Sequence, residues 1–380
     1  MKKFLSFLLS FICILLIFNT SCNQKSATTV EYPVVINIRA ALRNTVEIKL
    51  SDFVDSISYV SIQGFINDEP ISLRRFWFSD SYILSESRSN GDLLCFNRNG
   101  SFIRRIANKG RGPGEYLNVS DVVVDEGNSV LYVFSSMAKK IYKYSLDGSF
   151  LKAFEFGENI DAIAIDAFGQ LVVRCSIGSG NAKNNFLLLD NKGDTINFQP
   201  NNIFFERESL PGGITIFMNG SVYNYNNQVH IKNKNDTLFV MENDKFIPKY
   251  VFLTGDKQVN MTYKEFMELI PFPYIRETST KLFFQFVLED QWYNAFYDKI
   301  NGKVFSTSGQ IINDLEDEDN ITFSFEDIQV NNEIIKPKYG GFDLEKLKKT
   351  VSSSQYAKIT NMLDQIEDDD PIIVRILHLK

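Results

Sequence analysis

A repeat of short β-type runs, broken at near-regular intervals by Asx-Gly or Lys-Gly turns, is the feature that most restricts this chain. Asn99-Gly100 separates LLCFNR from SFIRRIA, Asp147-Gly148 separates KIYKYSL from SFLKAFEF, and Lys192-Gly193 separates FLLLD from DTINF. The turns therefore recur at steps of about 45–50 residues, the spacing of a four-stranded unit. Asn-Gly and Asp-Gly suit two-residue hairpin turns in which both central residues take positive φ. A second marker keeps the same frame: DVVVD ends at Asp125 and AIAID at Asp166. The runs between the markers are 4–8 residues long and rich in Val, Ile, Phe and Tyr, the length and composition of strands.

One four-stranded sheet cannot bury both of its faces. Units packed in a ring can, each covering its neighbour, and this predicts an all-β β-propeller over residues 34–380. Inner strands apolar on both faces are expected, and LYVF, AIAI and FLLL read that way. A ring must also seal, because an open first or last sheet leaves unpaired edges. TVEIKL and SISYVSI near the start are expected in one blade with IIVRILHL at the end. Two stretches depart from the β pattern. MTYKEFMELI, from Met261, reads as a short helix. Residues 342–367 carry Leu344, Leu347, Val351, Ile359, Leu363 and Ile366 at helical spacing and read as a C-terminal helical insertion.

The N-terminus has a different character. Lys2 and Lys3 precede an almost wholly apolar run from Phe4 to Phe18, followed by Asn19, Thr20, Ser21 and Cys22. This order is that of an export signal, and the run is shorter than the roughly 20 residues a spanning helix needs. Cys22 after a small residue resembles a bacterial lipobox, although Asn19 stands where Leu is usual. The resemblance implies cleavage after residue 21, acylation of the Cys22 thiol, and anchoring to a membrane of the cell envelope. Residues 22–33 are then a flexible tether.

Three pieces carry a wider resemblance: KGRGPGEY at 109–116, NDTLFVMENDKFIPKYVF at 235–252 and DDDPIIVRILHLK at 368–380. With them the chain resembles the six-bladed β-propeller lipoproteins of Bacteroidetes. Residues 110–151 are similar to an NHL-type repeat, but Ser135-Ser136-Met137 stands where those repeats carry a polar Asp/Asn/Arg cluster. The resemblance implies the fold and little about activity.

Several function classes lose ground on the residues alone. A net charge of −7 without a basic block argues against a nucleic-acid partner. Cys95 and Cys175 sit in apolar runs and read as buried free thiols. His230 and His378 are the only histidines, too few for a zinc site built on imidazole. No Gly-x-Ser-x-Gly turn occurs, so no catalytic residue is assigned. GRGPGEY lacks the Gly-Lys-Ser/Thr of a phosphate loop and reads as an inter-blade turn whose glycines need positive φ. Arg111 and Glu115 could pair there or line a rim. The acidic run from Asp314 to Asp319 reads as a solvated loop, and a calcium ion, if bound, has no assigned place.

The aromatic stretch 271–298 offers the clearest lead for recognition. Phe283, Phe284, Phe286 and Phe296 are expected in the core, whereas Tyr274, Trp292 and Tyr293 are candidates for stacking on a sugar or peptide. Two functions follow from the sequence. One is a non-catalytic binding or scaffold propeller for a glycan, a peptide or an envelope protein. The other is a propeller hydrolase or lyase with a carboxylate or divalent-ion site at the central channel. Three carboxylates at the channel mouth, or a carboxylate beside His230, would favour the enzyme. A channel lined by Ser, Asn and aromatics would favour binding.

Overall fold

The structure, a computed structural model, describes residues 33–67, 69–208, 220–255, 259–307, 311–315, 327–338 and 372–380. The signal segment 1–21, Cys22, most of the tether, and the helical insertion at 342–367 lie outside the described residues, as do Glu316–Asp319 of the acidic run.

Four-stranded antiparallel units follow one another along the chain. Blade 1 spans 73–107, blade 2 spans 121–155 and blade 3 spans 160–200. Blade 4 spans 222–253 and blade 5 spans 274–307. Blade 6 is assembled from both ends of the chain. Ile328–Val330 pairs with Glu333–Lys338, which pairs with Ile373–Leu379, which in turn pairs antiparallel with Val54–Ser61 in the register Ile373↔Ser61 to Leu379↔Val54. The expected seal between SISYVSI and IIVRILHL is thus present.

The apolar clusters lie between the blades. Leu84, Leu93 and Cys95 of blade 1 pack on Val122, Val124 and Leu131 of blade 2. Val130, Tyr132 and Phe134 of blade 2 pack on Ile163, Leu171 and Val173 of blade 3. The pattern continues from blade 3 to 4, from 4 to 5 and from 5 to 6. It returns to the start where Val330, Ile335, Val374 and Ile376 of blade 6 meet Leu73, Ile83, Leu94 and Phe96 of blade 1. Every blade face is therefore covered by the next blade, and the chain is an all-β propeller. Each fully buried Val, Leu, Ile or Phe contributes roughly 1.5–3 kcal/mol.

Four expectations need correction. First, TVEIKL does not join the closing blade. Thr45–Val46 adds a parallel strand to the outside of blade 5, and Val34–Asn37 does the same for blade 4. The N-terminal segment thus covers two open edges before it enters blade 6. Second, LYVF and FLLL are the second strand of blade 2 and the third strand of blade 3, not inner strands. The middle strands are the most buried because the inner strands border a channel and the outer ones meet solvent. Third, the Asn99-Gly100, Asp147-Gly148 and Lys192-Gly193 turns place only the glycine at positive φ (88°, 96° and 91°). Gly100 N–H donates to Asn97 O, Asn97 N–H donates to Ser101 O, and the ladder register shifts beside the turn. This is a turn closed by a glycine bulge. Turns with both central residues at positive φ occur instead at Asn226-Asn227, Asn243-Asp244 and Glu289-Asp290. Fourth, in the GRGPGEY loop only Gly114 has positive φ (74°), while a Cβ on Gly110 would meet the Glu115 carboxylate at 1.9 Å. A side chain at 110 would therefore displace the Glu115 carboxylate, and no positive φ calls for glycine there. The expected short helix is present as Tyr263–Glu268, opened by a capping box between Thr262 and Glu265.

Candidate functional site

The inner strands of blades 1, 2, 3, 4 and 6 border a central cavity of about 540 Å³, within the size range of small-ligand sites. Its wall includes Phe76, Trp77, Ser120, Asp121, Ala162, Ser221, Asn224 and Gln329, and three guanidinium side chains, Arg75, Arg174 and Arg276. Many polar members stand at or just before the start of their inner strands: Ser120 and Asp121 before and in Asp121–Asp125, Ser221 before Val222–Tyr225, Asp327 before Ile328–Val330. Inner strands of a propeller run alike, and those of blades 4 and 6 pair in parallel at Asn224↔Val330. The polar groups accordingly gather towards one end of the channel.

Blade 5 is set back from this ring. Its inner strand, Tyr274–Glu277, is buried at all four positions, and only Pro273 and Arg276 from this region reach the cavity wall. Its outward backbone groups are satisfied by side chains. Ile275 N–H donates to Ser221 Oγ at 3.2 Å, and Glu277 N–H donates to Gln329 Oε1 at 2.9 Å.

Each arginine is held by a distinct local device. A bulge between Arg74 and Phe76 sets Arg75 at φ 51°, the left-handed region, where a non-glycine residue is strained. The bulge cancels the usual alternation of strand side chains, so Arg74 and Arg75 both reach the buried Glu86 carboxylate, at 2.6 and 2.9 Å. Arg174 Nε donates to Asp161 Oδ1 at 2.6 Å, beside another bulge at Ile160/Ala162. Arg276 is 6 % exposed and lies over the Tyr274 ring. Its Nη1 donates to Ile275 O at 2.7 Å and its Nη2 to Asp327 O. Its Nε has no hydrogen-bond partner among the described residues, and neither has Asn224 Oδ1.

Asp121 completes this wall. Its oxygens accept from Trp77 Nε1 at 3.0 Å, from Val122 N at 2.9 Å and from Ile163 N at 2.8 Å, stitching blades 1, 2 and 3 together. Burial within the ring pushes its carboxyl up to about 6, against those three donors and the nearby Arg174 charge, which hold it down. Asp327 is paired to Lys336 at 2.7 Å.

A carboxylate does stand beside His230: Glu277 Oε2 lies 3.4 Å from Nε2. Both residues are at most 1 % exposed. Lys249 and Lys299 donate to Glu277 Oε1 at 3.0 and 2.7 Å, Tyr250 to the same oxygen at 3.0 Å, and Tyr223 to Oε2 at 3.1 Å. His230 Nδ1 lies 3.1 Å from Gln228 O, which fixes the proton there and leaves Nε2 to accept from Lys249 at 2.8 Å. Burial lowers the imidazole to about 4; burial also opposes the Glu277 charge, but the Lys299 and Lys249 ammonium groups against it hold its carboxyl below the usual carboxylate range. The pair is thus a neutral histidine in an ionic network sealed between blades 4 and 5. It braces the channel wall through Tyr223 and is not presented to the cavity.

The residues singled out from sequence do not converge on the cavity. Tyr274 is 2 % exposed, so it is a core ring and not a free stacking surface. Trp292 is half exposed on the blade 5 hairpin and Tyr293 stacks on Phe286; neither lines the cavity. Glu115 accepts from Gly112 N within its own loop at 2.7 Å, and Arg111 is exposed on that loop. Phe283, Phe284, Phe286 and Phe296 are core residues, and Cys95 and Cys175 are buried and free, with burial pushing Cys95 up to about 11. Among the described residues no group of three or more His, Cys, Asp or Glu is placed to hold a metal ion, and no helix is long and apolar enough to cross a membrane.

A family model described as "Domain of unknown function (DUF4934)" matches residues 33–377. No curated protein matches the chain. A Bacteroides fragilis protein named for its inferred export shares 17 % identity and a TM-score of 0.58, with 91 % of this chain and 99 % of that one covered. A member of the DUF4221 family from Bacteroides vulgatus follows at 11 % identity and a TM-score of 0.45, covering 86 % and 97 %. BamB from Moraxella catarrhalis gives 14 % and 0.40, with 66 % of each chain covered. At these identities the first likeness concerns the fold alone, and nothing is argued from the other two.

Proposed function

The chain belongs to the DUF4934 family, whose description names no activity, and on that premise we propose that it is a six-bladed binding propeller of the bacterial envelope. In this reading Cys22 carries the lipid anchor, and the ring holds a glycan, a peptide or another envelope protein without transforming it. The likeness to an exported protein of the same fold supports the location.

The observation that carries the reading is the make-up of the cavity wall: Ser120, Ser221, Asn224, Phe76, Trp77 and three arginines. These are groups that hold a polar ligand by hydrogen bonds, charge and stacking. Among the described residues, the two carboxylates on the wall are already engaged, Asp121 by three N–H donors and Asp327 by Lys336. The pair that could have served acid–base chemistry, His230 and Glu277, is sealed away.

Ala162 lines the cavity and is half-buried, so Ala162→Phe narrows the channel with little change to the blade interfaces. On an array of bacterial glycans and peptides, the wild-type protein should retain ligands that Ala162→Phe loses at least tenfold. Equal retention by a folded Ala162→Phe variant would place binding elsewhere and overturn the channel reading.

A further inference from the structure

The charge of the channel runs against that of the molecule. The chain carries a net charge of −7, yet the cavity wall is basic. Two arginines, Arg74 and Arg75, answer the single carboxylate of Glu86. Arg174 is balanced by Asp161, and Asp327 by Lys336. Arg276 is held by carbonyl oxygens of Ile275 and Asp327, which orient its guanidinium without neutralising it. Behind the Tyr223 wall, Lys249 and Lys299 share one carboxylate, Glu277. Against this excess of positive charge stands Asp121. Low-dielectric walls concentrate such a field inside a cleft.

Two further observations point to a ligand. Arg276 is more than nine-tenths buried, lines the cavity, and keeps an Nε–H that nothing among the described residues accepts. A buried donor left without a partner is destabilising, and an acceptor arriving in the channel would relieve that cost. Arg75 sits in strained backbone at a bulge, and such strain marks sites where a side chain is re-aimed. Its guanidinium keeps one nitrogen on Glu86 and leaves the rest of its donors for another acceptor.

We propose that the channel binds an acidic sugar, its oxyanion gripped by the guanidinium groups of Arg276, Arg174 and Arg75 and its ring placed against Trp77. The serine hydroxyls of Ser120 and Ser221 and the Asn224 amide supply partners for sugar hydroxyls, with Asn224 Oδ1 an unused acceptor. Guanidinium suits both carboxylate and phosphate through paired donors. A uronate and a sugar phosphate present that same chemistry, and the test separates them. The proposal rests on the channel being a binding site and adds the ligand class.

The test is calorimetric titration of the purified protein with D-galacturonate, D-galactose 6-phosphate, D-galactose and inorganic phosphate. At least one acidic sugar should bind at least tenfold more tightly than galactose, and should weaken as salt rises from 0.05 to 0.5 M. Which of the two binds identifies carboxylate or phosphate as the group held. Arg276→Gln should cut that affinity tenfold or more. Arg75→Gln should weaken it severalfold and leaves Glu86 paired to Arg74, so it serves if Arg276→Gln does not fold. The proposal is overturned if galactose binds as well as the acidic sugars, if inorganic phosphate alone equals them, or if folded arginine variants bind unchanged. Array ligands lost by Ala162→Phe in a protein that ignores every acidic sugar would overturn this proposal and leave the channel reading standing. Acidic sugars bound equally by Ala162→Phe would overturn both.

Discussion

Lys249 and Lys299 both direct their ammonium groups at Glu277, and His230 stands against the same carboxylate with a neutral ring. The arrangement makes stability sensitive to mild acid. The unfolded chain protonates a histidine near 6.5, while the native ring resists protonation until about 4 because burial penalises its charge. Between those values the unfolded state holds the extra proton, so native stability falls as pH drops from 6.5 towards 4 and is restored as pH rises. The size is on the order of 3 kcal/mol at most. Asp121, whose buried carboxyl takes up its proton near 6 in the native state, opposes this loss, so urea unfolding at pH 7 and at pH 4.5 should show the wild type losing more stability than His230→Gln, the difference being the histidine's share. An equal loss in both would assign the effect to other groups. At this scale the sequence was least legible. Arg75, Asp121, Arg174 and Arg276 each sit inside ordinary strand runs, where a charge reads as the solvated face. Nothing local tells a side chain facing solvent from one facing a channel, because both alternate along a strand. Tyr274 misled for the same reason: its aromatic neighbours showed a dense apolar segment but not which rings the next blade would cover.

At the scale of the element, turns were the most legible feature and also the place where the first reading needed repair. The Gly-containing turns correctly joined the third and fourth strands of blades 1, 2 and 3. Their conformation is the glycine-bulge type, so the residue before the glycine needs no positive φ, and Lys192 can stand where Asn99 and Asp147 stand in the other two turns. Asn226-Asn227, Asn243-Asp244 and Glu289-Asp290 carry the tighter turn without any glycine, and Asn243-Asp244 does so between the third and fourth strands of blade 4, where blades 1 to 3 use a glycine turn. The parallel strands at 34–37 and 45–46 are too short to announce themselves. Gly100 is required twice over, by φ 88° and by a Cβ position only 1.8 Å from Ser61 O. Gly100→Ala should therefore destabilise by more than about 1 kcal/mol, read as a lowered denaturation midpoint with an unchanged denaturant slope. A midpoint equal to wild type would mean that the blade 1 turn does not abut the closing strand.

For the whole molecule, the repeat period and the matching end strands foretold the ring, because burying every sheet face is a global demand that leaves a periodic mark on the chain. The channel, its positive field and the setback of blade 5 left no such mark. They arise only when residues from 75 to 330 are brought around one axis. The ring itself depends on Val54–Ser61 and Ile373–Leu379 pairing across the full chain length. Hydrogen exchange of the backbone amides in these two strands tests that dependence most directly. They should exchange as slowly as the middle strands of blades 2 and 3, opening only when the whole domain unfolds. Rapid exchange of residues 373–379 while the middle strands stay protected would contradict a sealed ring, and with it the channel on which the functional reading stands.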